Sequence, residues 1–138
     1  MAIAGEMKRI PSSGQVKPDD PLAYYLSQNG VRPGPRKLCQ FQKALRLRGT
    51  PALYSQDGKG DEAISHVKLF DPCGSATWFL LEWDGDGEAF AWVQGLSCDE
   101  YGYLSLSELA NVQGRFGIGI EIDTWFLPTT LLLAKAKG

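Results

Sequence analysis

The sequence predicts an α+β fold: a small, mainly antiparallel sheet with a central aromatic hairpin, packed by two to four short helices. Three features carry this expectation. Two aromatic-rich runs, ATWFLLEW (76–83) and EAFAWVQGL (88–96), flank DGDG (84–87). Asp-Gly pairs accept positive φ and mark hairpin turns. Upstream, apolar residues over roughly 36–48 recur at helical spacing, whereas residues 63–70 alternate as a strand does.

Taken in order, residues 1–20 contain RIPSSGQVKPDDP, rich in turn formers, and are expected to form a flexible arm. Residues 21–138 are expected to form a single domain. In DDPLAYYLSQNG, Asp20 can cap a short helix, Pro21 suits its first position and Asn29-Gly30 its end. VRPGPRK breaks the chain before the 36–48 helix, whose stripe is Leu38, Phe41, Ala44 and Leu45. Pro51 stops that helix, and SQDGKGDE is a loop. After the 63–70 strand, DPCGS turns into the hairpin. In SLSELANVQG, Ser105 and Glu108 have capping-box spacing, with Leu106, Leu109 and Ala110 as the buried stripe and Gly114 as the stop. IGIEIDTWF then suits a last strand, and LPTTLLLAKAKG an extension or short helix.

A chain of 138 residues with 43% hydrophobic content suits one globular domain with its own core. Net charge is −2, but residues 1–50 hold nine Lys and Arg against three acids, and residues 51–138 five against thirteen. Cys39, Cys73 and Cys98 form no C-x-x-C pair and His66 is the one histidine, so the paired spacing of a Cys/His zinc site is missing and no metal is expected. Idle thiols in a reducing compartment are expected, and no cofactor. Glu6, Lys8 and Arg9 stand where a signal peptide needs an apolar stretch. TWFLLEW and TLLLAKA fall short of the ~20 apolar residues that span a bilayer. A cytoplasmic protein with no membrane partner is the expectation.

From residue 53 onward four ordered motifs stand out: K-L-F-x-P at 68–72, D-G-D at 84–86, G-Y-x-S-L-x-E-L at 102–109 and I-E-x-D-x-x-F at 120–126. Together they resemble a small prokaryotic domain family of unknown function, carried by plasmids, phages and integrated mobile elements, often near antirestriction genes. The family-like core runs over about 53–131. The resemblance implies a part in mobile-element life, with counter-defence against restriction or CRISPR systems as one form. It brings no catalytic residues. Ile122 stands where the family pattern has a cation.

Several chemical readings compete for the acids around the hairpin. As an EF-hand loop, Asp84, Asp86 and Glu88 would fill positions 1, 3 and 5, but Ala89 and Gly95 stand where glycine and a bidentate glutamate are required. Glu82 with Asp84, or Glu121 with Asp123, share a strand face without the fixed cleft of a glycosidase pair. Asp57-Gly58-Lys59 has a D-x-K form, but in a glycine-rich loop that lacks the strand a metal-dependent nuclease would need. The same loop lacks the strand and helix of a dinucleotide fingerprint.

Two surfaces remain. A two-residue hairpin loop places Phe79, Leu81 and Trp83 on one face with Phe90 and Trp92, and Glu82 and Asp84 on the other with Ala89 and Ala91. The acids Glu82, Asp84, Asp86 and Glu88 then form a solvated negative knob, continued by Asp99 and Glu100, that can meet a basic protein surface. A three-residue loop would reverse the faces. The leading expectation is a non-catalytic interaction protein whose acidic hairpin and exposed aromatics contact a protein partner, such as a defence nuclease or effector complex. The second is an accessory nucleic-acid binder using Arg32, Arg36, Lys37, Lys43, Arg46 and Arg48 along phosphates. An uncharacterised enzyme is the third.

Overall fold

The computed structural model describes residues 32–137. The expected arm at 1–20 and helix at 21–30 therefore lie outside the described residues. The chain is α+β, as the hairpin and helical spacing predict. Helix α1 (Pro35–Leu47) starts with proline at its first position, where the missing N–H costs no bond and φ is already helical. Its stripe of Phe41, Ala44 and Leu45 is fully buried, and Leu38 packs at its margin. Arg48 N–H and Thr50 N–H close the last turn on the Ala44 and Leu45 carbonyls, and Pro51 follows.

The strands follow from residue 64. Strands β1 (Ile64–Ser65), β2 (Val67–Phe70), β3 (Thr77–Trp83), β4 (Glu88–Gln94) and β5 (Glu100–Ser105) precede helix α2 (Leu106–Asn111). Then come β6 (Glu121–Ile122), β7 (Thr129–Thr130) and helix α3 (Leu131–Lys137). The main sheet has the order β5-β4-β3-β2-β6, and its pairs are antiparallel; β1 and β7 form a separate two-stranded ribbon. The last strand is shorter than IGIEIDTWF suggested, because only Glu121 and Ile122 pair with β2. CDEYGY, which carried no strand expectation, supplies most of β5 instead: Tyr101 and Tyr103 alternate with Gly102 and Leu104 against β4.

Two apolar clusters lie on opposite faces of the sheet. On one face, α1 and α2 cover Val67, Leu69, Leu80, Trp83, Ala89, Ala91, Ile120 and Ile122. The small side chains of Ala89 and Ala91 let the α2 stripe of Leu106, Leu109 and Ala110 approach closely. Ser105 caps α2 by accepting from Glu108 N–H at 3.2 Å, and Gly34 N–H donates to the Ala110 carbonyl, tying the start of α1 to α2. On the other face, Phe79 and Leu81 pack with Leu131 and Ala134 of α3, and Ala63, Phe90, Trp92 and Phe126 complete the layer. Complete burial of each large aliphatic side chain contributes about 1.5–3 kcal/mol, so the central strand β3 anchors both clusters.

The hairpin departs from the expected faces. Phe79 pairs with Trp92 and Leu80 with Ala91, but then Glu82 pairs with Phe90 and Trp83 with Ala89. Leu81 is the extra residue of a β-bulge, which turns two consecutive side chains, Leu81 and Glu82, toward the same side. Trp83 therefore joins Ala89 and Ala91 on the helix-covered face, and Glu82 moves to the aromatic face. The loop is also longer than two residues. Asp84 N–H donates to the Glu88 carbonyl at 2.9 Å, leaving Gly85, Asp86 and Gly87 between them. Gly85 supplies the positive φ of 84° that this turn needs.

Candidate functional site

Glu82 is the first correction to the acidic knob. It is only 4% exposed. Its Oε1 accepts from Tyr54 N–H at 2.7 Å and its Oε2 from Gln56 N–H at 2.8 Å. The Gln56 amide reaches back: its Nε2 donates to the carbonyls of Leu81 (2.8 Å) and Ile64 (2.9 Å), and its Oε1 accepts from Ile64 N–H. The carbonyl of the bulge residue Leu81 is thus satisfied by a side chain from the 52–58 turn. A buried carboxylate is tolerated because both oxygens hold backbone donors.

This stitching holds Tyr54 in a left-handed conformation, φ 72°, which is uncommon for a residue with a Cβ. The turn stands beside the aromatic row of β4 and β5. Tyr54 and Tyr103 rings lie 6.4 Å apart; Phe90 meets Tyr103 at 4.8 Å and stacks nearly parallel on Tyr101 at 5.6 Å; Trp92 meets Tyr101 edge-on at 4.9 Å. Tyr54 is 67% and Tyr103 51% exposed. An open cleft of about 470 Å³ lies between turn and sheet, lined by Tyr54, Phe90, Tyr101 and Tyr103 together with Asp57, Leu81 and Glu82. A hydrogen bond with Tyr54 holds the Tyr103 phenol proton and, with burial and nearby negative charge, pushes its pKa up to about 12.

The remaining acids separate into two places. Asp84, Asp86 and Glu88 are exposed at the hairpin tip. Asp84 Oδ1 accepts from Asp86 N–H (2.8 Å) and Glu88 N–H (3.0 Å), an Asx turn that fixes the loop. Asp99 and Glu100 do not continue this knob. Glu88 pairs with Ser105 and Val93 with Glu100, so Asp99 and Glu100 lie at the opposite end of β4, about 16 Å away at ~3.3 Å per residue. There Asp99 Oδ1 accepts from Gly95 N–H at 3.1 Å.

The backbone N–H donors on Asp84, from Glu88 first and Asp86 next, hold its carboxyl below the usual aspartate value. A depressed native pKa means that the unfolded chain binds the proton first as pH falls. The stabilisation is full above the ordinary value near 3.8 and is lost as pH drops through the native value. Asp84→Asn keeps the Oδ1 acceptor but removes the titration. Acid-unfolding profiles should therefore show a shallower loss of stability below pH 4 for this variant; an identical acid limb would contradict the Asx-turn role.

The basic segment is also divided. Lys37 is 4% exposed, not part of a solvated face. Burial lowers its pKa, with Glu121 of β6 opposing that shift. Arg32, Arg36, Lys43 and Arg46 are exposed, and Arg48 is half-buried. The Arg48 carbonyl meets His66 Nδ1 at 3.2 Å, and burial lowers the His66 pKa. Gln42 Nε2 of α1 donates to the Asp86 carbonyl at 2.9 Å, so the basic helix and the acidic tip touch within one molecule.

Cys39 and Cys98 are exposed and Cys73 is half-buried, all as free thiols. Among the described residues, no group of three or more His, Cys, Asp or Glu side chains converges to hold a metal ion. No helix there is long and apolar enough to cross a membrane.

A family described as a protein of unknown function, DUF2958, matches residues 41–137. The chain belongs to the DUF2958 family. The match begins inside α1, earlier than residue 53, and extends into α3 beyond 131. Every element of the DUF2958 sheet, the Tyr54 turn and the aromatic row lie within it, whereas Arg32, Arg36 and Lys37 precede it. No curated protein and no solved structure matches the chain.

The aromatics are visible in the sequence, but their assembly into this cleft is not. The two-residue alternation Phe90/Trp92 and Tyr101/Tyr103 was a usable signal, since such residues share a sheet face. Tyr54 had no comparable signal, because its place depends on Glu82 from a distant strand.

Proposed function

We propose that this DUF2958 protein is a non-catalytic binding module that engages a protein partner through the aromatic face of its sheet. Its setting would be a mobile genetic element or phage, and its action counter-defence: blunting a restriction or CRISPR nuclease or effector complex. The observation that carries the binding reading is the open cleft between the Tyr54 turn and the Phe90–Tyr101–Tyr103 rings. Aromatic side chains supply large contact area at low entropic cost, and they dominate interface energetics. The mobile-element setting rests on the four-motif resemblance alone. The acidic hairpin tip takes the place of a flanking rim, and Glu82 becomes the anchor of the cleft wall.

The test is plasmid establishment in hosts that carry a restriction or CRISPR system. Producing the protein should raise establishment of a targeted plasmid in one of these hosts and leave an untargeted plasmid unaffected. Tyr54→Gly combined with Tyr101→Ser should remove the effect while thermal unfolding stays cooperative. Full retention by that double variant would place the contact elsewhere. No protection in any such host would remove the counter-defence reading.

A further inference from the structure

We propose that the cleft beside Tyr54 takes the guanidinium of an arginine side chain presented on an exposed segment of the protein partner. This rests on the protein-binding reading above and names the chemistry of the group that enters.

The aromatic row has two ends, and the protein already seats a cation at one of them. Lys135 Nζ of α3 lies 4.2 Å from the centre of the Trp92 ring and 2.7 Å from Asp61 Oδ1. An ammonium over a ring face with a carboxylate beside it is the arrangement that aromatic quadrupoles favour. At the other end the same elements recur, and among the described residues no cation is seated on them. The rings of Tyr54, Phe90, Tyr101 and Tyr103 line the cleft together with exposed Asp57 and the buried Glu82 carboxylate. Among the described residues lining the cleft there is no Lys or Arg; Lys59 belongs to the same turn but does not line it.

Charge and shape then select the occupant. Asp57 and Glu82 are the charged residues that line the cleft, both acidic, so its charge disfavours phosphate. That disfavours a nucleic-acid strand stacking its bases here, although stacking alone would suit the rings. The Tyr103 phenol stays protonated through the physiological range, which keeps its ring neutral and available to a cation. Each Glu82 oxygen already accepts one backbone N–H, so Glu82 contributes mainly through its charge, and Asp57 is the carboxylate free to pair directly. A planar guanidinium stacks on rings and forks onto a carboxylate at once, whereas the ammonium of lysine is a compact, strongly hydrated point charge.

The experiment titrates the full chain, by NMR of its aromatic side chains, with an acetylated and amidated Gly-Gly-Arg-Gly-Gly peptide. Its twins carry citrulline or lysine at the centre, and a thymidine oligonucleotide is the fourth probe. The arginine peptide should shift the Tyr103 and Phe90 ring signals saturably. Citrulline, isosteric but uncharged, should bind about tenfold more weakly, and lysine severalfold more weakly. Asp57→Asn and Tyr54→Gly should each weaken the arginine peptide severalfold. Tyr54→Gly is safe for the fold, because φ 72° is a natural glycine conformation. Equal binding of citrulline or lysine, tighter binding of the oligonucleotide, shifts confined to other parts of the protein, or no shift at all would each overturn the arginine assignment. Those outcomes leave the protein-binding reading standing, since that reading fails separately, in the plasmid assay.

Discussion

Glu82→Ala is expected to lower the unfolding free energy by about 2–4 kcal/mol, since one buried and one part-buried donor each lose a partner at about 1–3 kcal/mol. The donors are the Tyr54 and Gln56 N–H groups, held at 2.7 and 2.8 Å by a side chain that is itself buried. Alanine offers them nothing, and because Glu82 lines the open cleft, water recovers only part of what the carboxylate supplied. Glu82→Gln is the sharper variant. It fills the same volume, but its amide must turn an NH2 toward one of the two N–H groups, and a loss of about 2 kcal/mol is expected. In urea the alanine variant should show a midpoint lower by about 1–2 M. Amide exchange at Tyr54 and Gln56 should accelerate in both variants. A change below about 1 kcal/mol in both would mean that the turn is held by something other than this carboxylate.

Phe79→Ala should cost about 3–5 kcal/mol, the range for emptying a fully buried aromatic site. Phe79 lies on β3 with its ring 5.9 Å from Phe126, and it packs in the cluster that α3 covers through Leu131 and Ala134. Lys68 Nζ stands 5.9 Å from the same ring and also pairs with Asp123 at 3.4 Å, so the ring helps to hold the segment entering β7. Loss of the ring removes the floor beneath the second layer, and the docking of α3 should weaken with it. Equilibrium denaturation followed by tryptophan fluorescence and far-ultraviolet circular dichroism checks both effects. Loss of less than about 1 kcal/mol would show that Phe126 collapses into the space and that the layer is less tightly packed than its burial implies.

Much of the fold was legible because its signals are local. The Phe41–Ala44–Leu45 spacing, the Ser105 cap and the DGDG turn each declare themselves within a few residues. The bulge at Leu81 did not. Its carbonyl is satisfied by Gln56, 25 residues away in sequence, and its neighbour Glu82 is fixed by backbone groups of the same distant turn. No periodicity within ATWFLLEW distinguishes a bulged strand from a regular one, and one extra residue exchanges the faces of Glu82 and Trp83. Glu82 leaves the expected acidic knob for that reason, while Asp84, Asp86 and Glu88 stay exposed at the tip. Lys37 was more readable: it lies four residues before Phe41 and eight before Leu45, on the buried stripe itself. The aromatic cleft was half legible, since its rings alternate along β4 and β5 but its rim comes from Tyr54.

Partners are expected to meet this protein at the aromatic cleft and not at the hairpin tip or the basic helix. A photo-crosslinking amino acid placed in turn at positions 101, 86 and 46, in cells carrying the targeted defence system, tests it most directly. A defence protein should be captured strongly from position 101, with little capture from 46 and intermediate or little from 86. Strong capture of that protein from position 86 or 46, with none from 101, would contradict it.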